Sequence, residues 1–137
     1  MVLLIILLHL HGYRLVVDGP RPGLLGLTDT RTRTVTLYEQ TDEPVSLERK
    51  VLAYEVAHVL DVDCLTPKQR RTWMRLRHLQ GQWYAPNLGD ERGYGSGDFA
   101  DLFSAWALHG TAWFRPIHPR DLASLASRFH FTRGVCP

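Results

Sequence analysis

An α+β domain is the fold class this sequence predicts, and three observations lead there. Thr30, Thr32, Thr34 and Thr36 alternate with Arg31, Arg33, Val35 and Leu37, the period of two that marks a strand. Helix start signals, apolar residues at helical spacing and glycine stops fill the remainder of the chain. No repeat, low-complexity tract or composition break separates the two kinds of pattern, so one domain over 1–137 is expected.

The elements follow in order. Residues 2–11 are apolar up to a stop at Gly12 and read as a buried core element, a helix or a buried strand. Tyr13 to Val17 reads as a short strand, broken by the turn cluster Gly19-Pro20-Arg21-Pro22-Gly23. The stretch from Leu24 to Tyr38 folds into a hairpin about a turn near Asp29-Thr30, and its threonine face predicts an edge exposed on one side. These strands are expected to form a small antiparallel sheet. Ser46 is placed to cap a helix running to about Leu60, with Glu48 in the first turn where the helix dipole favours a carboxylate.

Thr66-Pro67-Lys68-Gln69 is a stronger start signal, a capping box with proline at the first helical position, for a helix to about Gln80 before Gly81. An irregular Gly-rich stretch spans Trp83 to Gly97. Phe99, Leu102, Phe103 and Trp106 then lie at i, i+3, i+4 and i+7 of a third helix ended by Gly110. A last helix runs from about Pro119 to Phe129.

Composition excludes several classes of protein. With 137 residues, 45% hydrophobic and 22% charged, the chain is no disordered tail, collagen-like repeat or coiled-coil rod. The formal net charge of +2 does not by itself imply a nucleic-acid partner, although 14 of the 16 basic residues are arginine. The run Val2 to Leu8 is far shorter than the ~20 apolar residues a membrane helix needs. It lacks the flanks of a signal peptide, so a cytoplasmic or virion location is expected. Cys64 and Cys136 match no zinc-knuckle spacing and read as free thiols or one pair, with a reducing compartment favoured.

The chemistry concentrates in Ala53-Tyr54-Glu55-Val56-Ala57-His58-Val59-Leu60-Asp61. On a helix, Tyr54 and His58 stand one turn apart on one face with Glu55 beside them. With histidine first, this would be the zinc-binding His-Glu-x-x-His motif, two imidazoles gripping the ion and the glutamate activating its water. Three further groups have competing readings. Lys68, Arg71, Arg75 and His78 form a basic stripe, either a solvated helix face or a phosphate-binding one. Trp83, Tyr84 and Tyr94 either anchor the Gly-rich loop or line a cleft. Ser96 and Ser104 have no nucleophile motif around them.

Three ordered motifs carry a resemblance: the hairpin of Gly26-Leu27-Thr28-Asp29 with Arg33-Thr34-Val35-Thr36-Leu37-Tyr38, the helix from Leu52 to Asp61, and Gly97-Asp98-Phe99-Ala100-Asp101-Leu102-Phe103-Ser104. Over roughly residues 12–109 the chain resembles the small zincin-fold metallopeptidase-like proteins of actinobacteria and their phages. The resemblance implies a minimal zincin-like domain in which Glu55 is the general base. It implies that His58 and an acidic residue of the later helix, Asp98 or Asp101, are metal ligands.

Tyr54 stands where the family has its first zinc-binding histidine, and a neutral phenol is a poor ligand. His9 or His11 is the available substitute imidazole. The expectation is therefore a degenerate zinc-metallopeptidase-like domain, its zinc lost or weakly held. It would serve as a non-catalytic binding or structural module, phage-encoded in one version, with a protein or peptide partner and no membrane. The alternatives are an active zinc peptidase with an unusual ligand set and a nucleic-acid-binding protein using the Arg-rich helix.

Overall fold

A computed structural model describes residues 1–40, 42, 44–87, 90–133 and 136, and residues 88 and 89 of the Gly-rich stretch lie outside it. Five helices and a three-stranded sheet form an α+β arrangement: α1 (Val2–Leu10), β1 (Arg14–Asp18), β2 (Gly26–Asp29), β3 (Thr34–Tyr38), α2 (Val45–Cys64), α3 (Pro67–Leu76), α4 (Gly95–Ala107) and α5 (Pro119–Arg128). A short 3-10 turn, Phe131–Arg133, follows α5.

The sheet is mixed and not purely antiparallel. Its order is β1-β3-β2, with β3 antiparallel to β2 and parallel to β1. The expected hairpin is present, and Asp29 Oδ1 holds its turn by accepting the N–H groups of Arg31 and Thr32 at 2.9 and 3.1 Å. The threonine-rich strand is not at the edge. β3 is the centre, with Val35 and Leu37 buried on one side and Thr34 against Arg14 Nε at 2.9 Å. A strand buried on nearly every residue belongs between two others, and the more exposed β1 and β2 take the edges.

α1 is a helix buried on one side only. Leu4 and Leu8, one turn apart, face α2, while Val2, Leu3, Ile6 and Leu10 are exposed. The expectation of a fully buried element fails because a nine-residue helix with a single neighbouring helix has only one stripe to cover. α2 starts at Val45 with Pro44 as its cap, so Ser46 lies inside the first turn, and the helix continues past Leu60 to Cys64. Every residue from Val51 to Ala57 is buried, because the sheet and α1 cover one side of α2 and α4 covers the other.

The capping box of α3 forms as expected: Gln69 N–H donates to Thr66 Oγ1 at 3.3 Å, and Thr66 N–H to Gln69 Oε1 at 2.9 Å. α3 stops at Leu76, short of Gln80, where His78 takes a left-handed φ of 52°. Lys68, Arg71, Arg75 and His78 are all exposed, as a solvated face requires. α4 begins four residues before Phe99 and is buried from Gly95 to Ala105, not only along the predicted stripe. Trp73, Phe99, Phe103 and Phe131 pack against one another at centroid distances of 5.1 to 6.5 Å and fill the space between α3, α4 and the chain end. α5 starts at the predicted Pro119.

Candidate functional site

The long helix α2 presents Tyr54 and His58 side by side, their rings edge to face with centroids 4.9 Å apart, as the one-turn spacing requires. Glu55 turns toward the sheet. Thr28 of β2 donates its hydroxyl to Glu55 Oε2 at 2.7 Å and to the Glu55 carbonyl at 3.1 Å. This contact depends on Gly26: a Cβ there would stand 2.7 Å from Glu55 Oε1 and 2.8 Å from Val51. Glycine therefore lets the strand lie directly on the helix.

The acidic partner of His58 is Glu91, from the loop before α4. One oxygen, Glu91 Oε2, accepts both the Tyr54 hydroxyl at 2.7 Å and His58 Nε2 at 3.0 Å. Its placement relies on Gly97, where a Cβ would come within 2.4 Å of the Glu91 carbonyl oxygen. The two aspartates between which the expected ligand lay are both engaged elsewhere. Asp98 receives Trp73 Nε1 at 2.9 Å and the Arg77 guanidinium at 2.8 and 3.0 Å, which ties α4 to α3. Asp101 receives the N–H groups of Trp113 and Phe114 at 2.6 and 2.8 Å, which seats the loop that walls the site. Neither lines the cavity described below.

Asp61, fully buried, is held by Arg70 Nε at 2.9 Å and Trp83 Nε1 at 2.9 Å, so it anchors the start of the Gly-rich loop. Among the aromatics of that loop, Trp83 is thus an anchor and Tyr84 lines the cavity. His9 and His11 do not line it either, and His11 is bonded to Asp63.

Charge and burial set the protonation of this cluster. Burial alone would lower the His58 pKa, but the hydrogen bond and charge of Glu91 overcome it and raise it from 6.5 to about 9. Glu91 is correspondingly held below the ordinary carboxylate value: burial works against this, and the hydrogen bond from His58 prevails. Burial pushes Glu55 up, opposed by His58 and Thr28. Burial, reinforced by the Glu91 charge, drives the Tyr54 phenol far above its ordinary value, so it remains a neutral donor.

A cavity of about 640 Å³ opens above these groups. Its walls are apolar, including Leu24, Leu25, Leu27, Val51, Trp113 and Phe114, and Tyr54, Glu55, His58 and Glu91 contribute the polar side. Lys50 Nζ lies 4.2 Å over the Trp113 ring and the Arg92 guanidinium 5.8 Å from the Phe114 ring, which brace the rim. β2 runs along this cavity as an edge strand. Tyr38 N–H bonds the Leu25 carbonyl at 2.9 Å. Hydrogen-bonded pairs alternate in an antiparallel ladder, so Leu27 and Asp29 also bond toward β3. The main-chain groups of Gly26 and Thr28 face the open edge.

A metal at His58 and Glu91 would have to break the His58–Glu91 hydrogen bond and take a proton from the imidazolium. Among the described residues, the one trio of His, Cys, Asp or Glu donor atoms within 4.8 Å of one another is His11, Cys64 and Cys136, away from this cavity. The two sulfurs of that trio are bonded to each other as a disulfide.

Glu91 is the side chain of the candidate site that sequence reasoning missed. Its only signal was an acidic Asp90-Glu91 pair in the loop already noted for aromatics, and no spacing rule ties that loop to His58. Compared with known proteins, the chain matches no family model, no curated protein and no solved structure.

Proposed function

We propose that the chain is a peptide-binding module that needs no metal, built on a degenerate zinc-peptidase-type site. The observation that carries this reading is Glu91 Oε2 shared between Tyr54 and His58: the positions that would grip an ion are bonded to each other. The cluster is then the floor of a cleft and not a reaction centre. Glu55, bonded to Thr28, fastens β2 to α2 and has no metal-bound water to activate.

The occupant that fits is an extended segment of a partner protein. It adds to the free edge of β2 through the main-chain groups of Gly26 and Thr28 and inserts an apolar side chain between Trp113 and Leu25. Main-chain pairing supplies affinity and the apolar cavity supplies selectivity. Selection of random peptides on the whole chain, with a chelator present throughout, tests this. Extended sequences with one large apolar anchor are expected, and Trp113→Ala should weaken them at least about tenfold, a loss of about 1.4 kcal/mol. Cleavage of the selected peptides, or binding only after zinc is added, would favour the working-peptidase reading and refute this one.

A further inference from the structure

At the C-terminal end of α2, three parts of the chain converge. His11 caps the end of α1, Cys64 is the last residue of α2, and Cys136 comes from the chain terminus. Their donor atoms all lie within 4.8 Å of one another, with His11 Nε2 3.8 Å from Cys136 Sγ. The other ring nitrogen, His11 Nδ1, is 3.0 Å from Asp63 Oδ2, and Arg33 Nη1 bonds the same oxygen at 3.3 Å. A carboxylate on Nδ1 fixes that nitrogen as the protonated one and leaves the Nε2 lone pair directed at the sulfurs. This is the arrangement that orients metal-binding histidines.

We infer that His11, Cys64 and Cys136 form a redox-gated zinc site, closed in the disulfide state and open to zinc(II) once the disulfide is reduced. A dithiol reductant supplies the two electrons and two protons. The Cys64–Cys136 bond breaks, two thiols form, and the reductant is left as its own disulfide. Zinc(II) then binds both sulfurs and His11 Nε2 and releases the two thiol protons, with water in the fourth position. No electron moves in this second step. Two thiolates balance the dication, and Asp63, held by Arg33, keeps the imidazole in place. The inference is independent of the Tyr54 cluster, since none of its three ligands lines that cavity.

The test uses the whole chain, reduced anaerobically with a non-chelating phosphine that breaks the same bond, and titrated with cobalt(II) as an optical stand-in for zinc. One cobalt per chain is expected, with thiolate-to-metal charge-transfer absorption that zinc abolishes, and none in the oxidised chain. Asp63→Asn should weaken binding by about 10–100-fold and His11→Ala by more. Glu91→Gln should leave the spectrum unchanged. Zinc should also protect both cysteines of the reduced parent chain from alkylation, a readout that requires no variant to fold. A reduced chain without thiolate charge transfer would overturn the inference. Equal affinity after His11→Ala, or cysteines alkylated as fast with zinc as without, would overturn it too.

Discussion

Replacing Glu91 by glutamine removes the charge that does most to hold His58 protonated and keeps a side chain of the same length. Burial alone lowers the His58 pKa, and Glu91, followed by Glu55 and Asp61, lifts it to about 9 from an ordinary 6.5. At about 1.4 kcal/mol for each pH unit, that rise corresponds to about 3 kcal/mol of stability. The sign follows from linkage. A histidine whose folded pKa is raised contributes fully below its unfolded value of 6.5 and loses the contribution as pH climbs through about 9. Glu91, held low, contributes above the ordinary carboxylate value and loses its share as pH falls through its folded value.

The pair is therefore worth most between about pH 5 and 6.5. Glu91→Gln should cost about 2–3 kcal/mol near pH 6, progressively less as pH rises from about 6.5, and little above about pH 9. Urea unfolding of parent and variant across this range measures the difference. Imidazole NMR titration reads His58 directly, and its midpoint should fall well below the parent value of about 9 in the variant. A parent His58 that titrates at an ordinary value, or a variant equally stable at all pH, would refute the electrostatic account of the cluster.

Further outcomes follow from the same geometry. Tyr54→His places a second imidazole one turn before His58 with Glu91 already against both, so zinc affinity should rise by orders of magnitude in calorimetry. The same change should lose about 1–2 kcal/mol of metal-free stability through poorer packing. Gly97→Ala forces a Cβ to within 2.4 Å of the Glu91 carbonyl, so it should cost about 1–3 kcal/mol and return His58 toward an ordinary titration by displacing Glu91. Gly26→Ala drives a Cβ into Glu55 and Val51 and should cost a similar ~1–3 kcal/mol, but leave the His58 titration in place. The contrast between the two glycine variants, in unfolding and in NMR, separates loss of packing from loss of the charge partner.

What the sequence made legible is what local rules govern. The capping box at Thr66, the proline start of α5, the turn at Asp29 and the shared face of Tyr54 and His58 each depend on residues within a turn of one another. Features decided by distant segments were not legible. Alternation marks a strand but not its place in a sheet, so β3 reads as an edge until β1 is seen parallel to it. An apolar run states only that burial is favourable, and α1 has a neighbour for one stripe alone. Cys64 and Cys136 are 72 residues apart, with nothing local to pair them. The resemblance implies a ligand role for Asp98 or Asp101, yet Arg77, Trp73 and the backbone of Trp113 and Phe114 take their carboxylates. Glu91 reaches His58 from an aperiodic loop, where only tertiary contact assigns a partner.

Amide hydrogen exchange at β2, with and without a selected peptide and with chelator present, tests the peptide-binding account most directly. The N–H groups of Gly26 and Thr28 face the open edge, while that of Leu27 already bonds toward β3. Strand addition should therefore slow exchange at Gly26 and Thr28 and leave Leu27 little changed. Peptide binding that slows neither Gly26 nor Thr28, or protection that vanishes when zinc is chelated, would contradict the account.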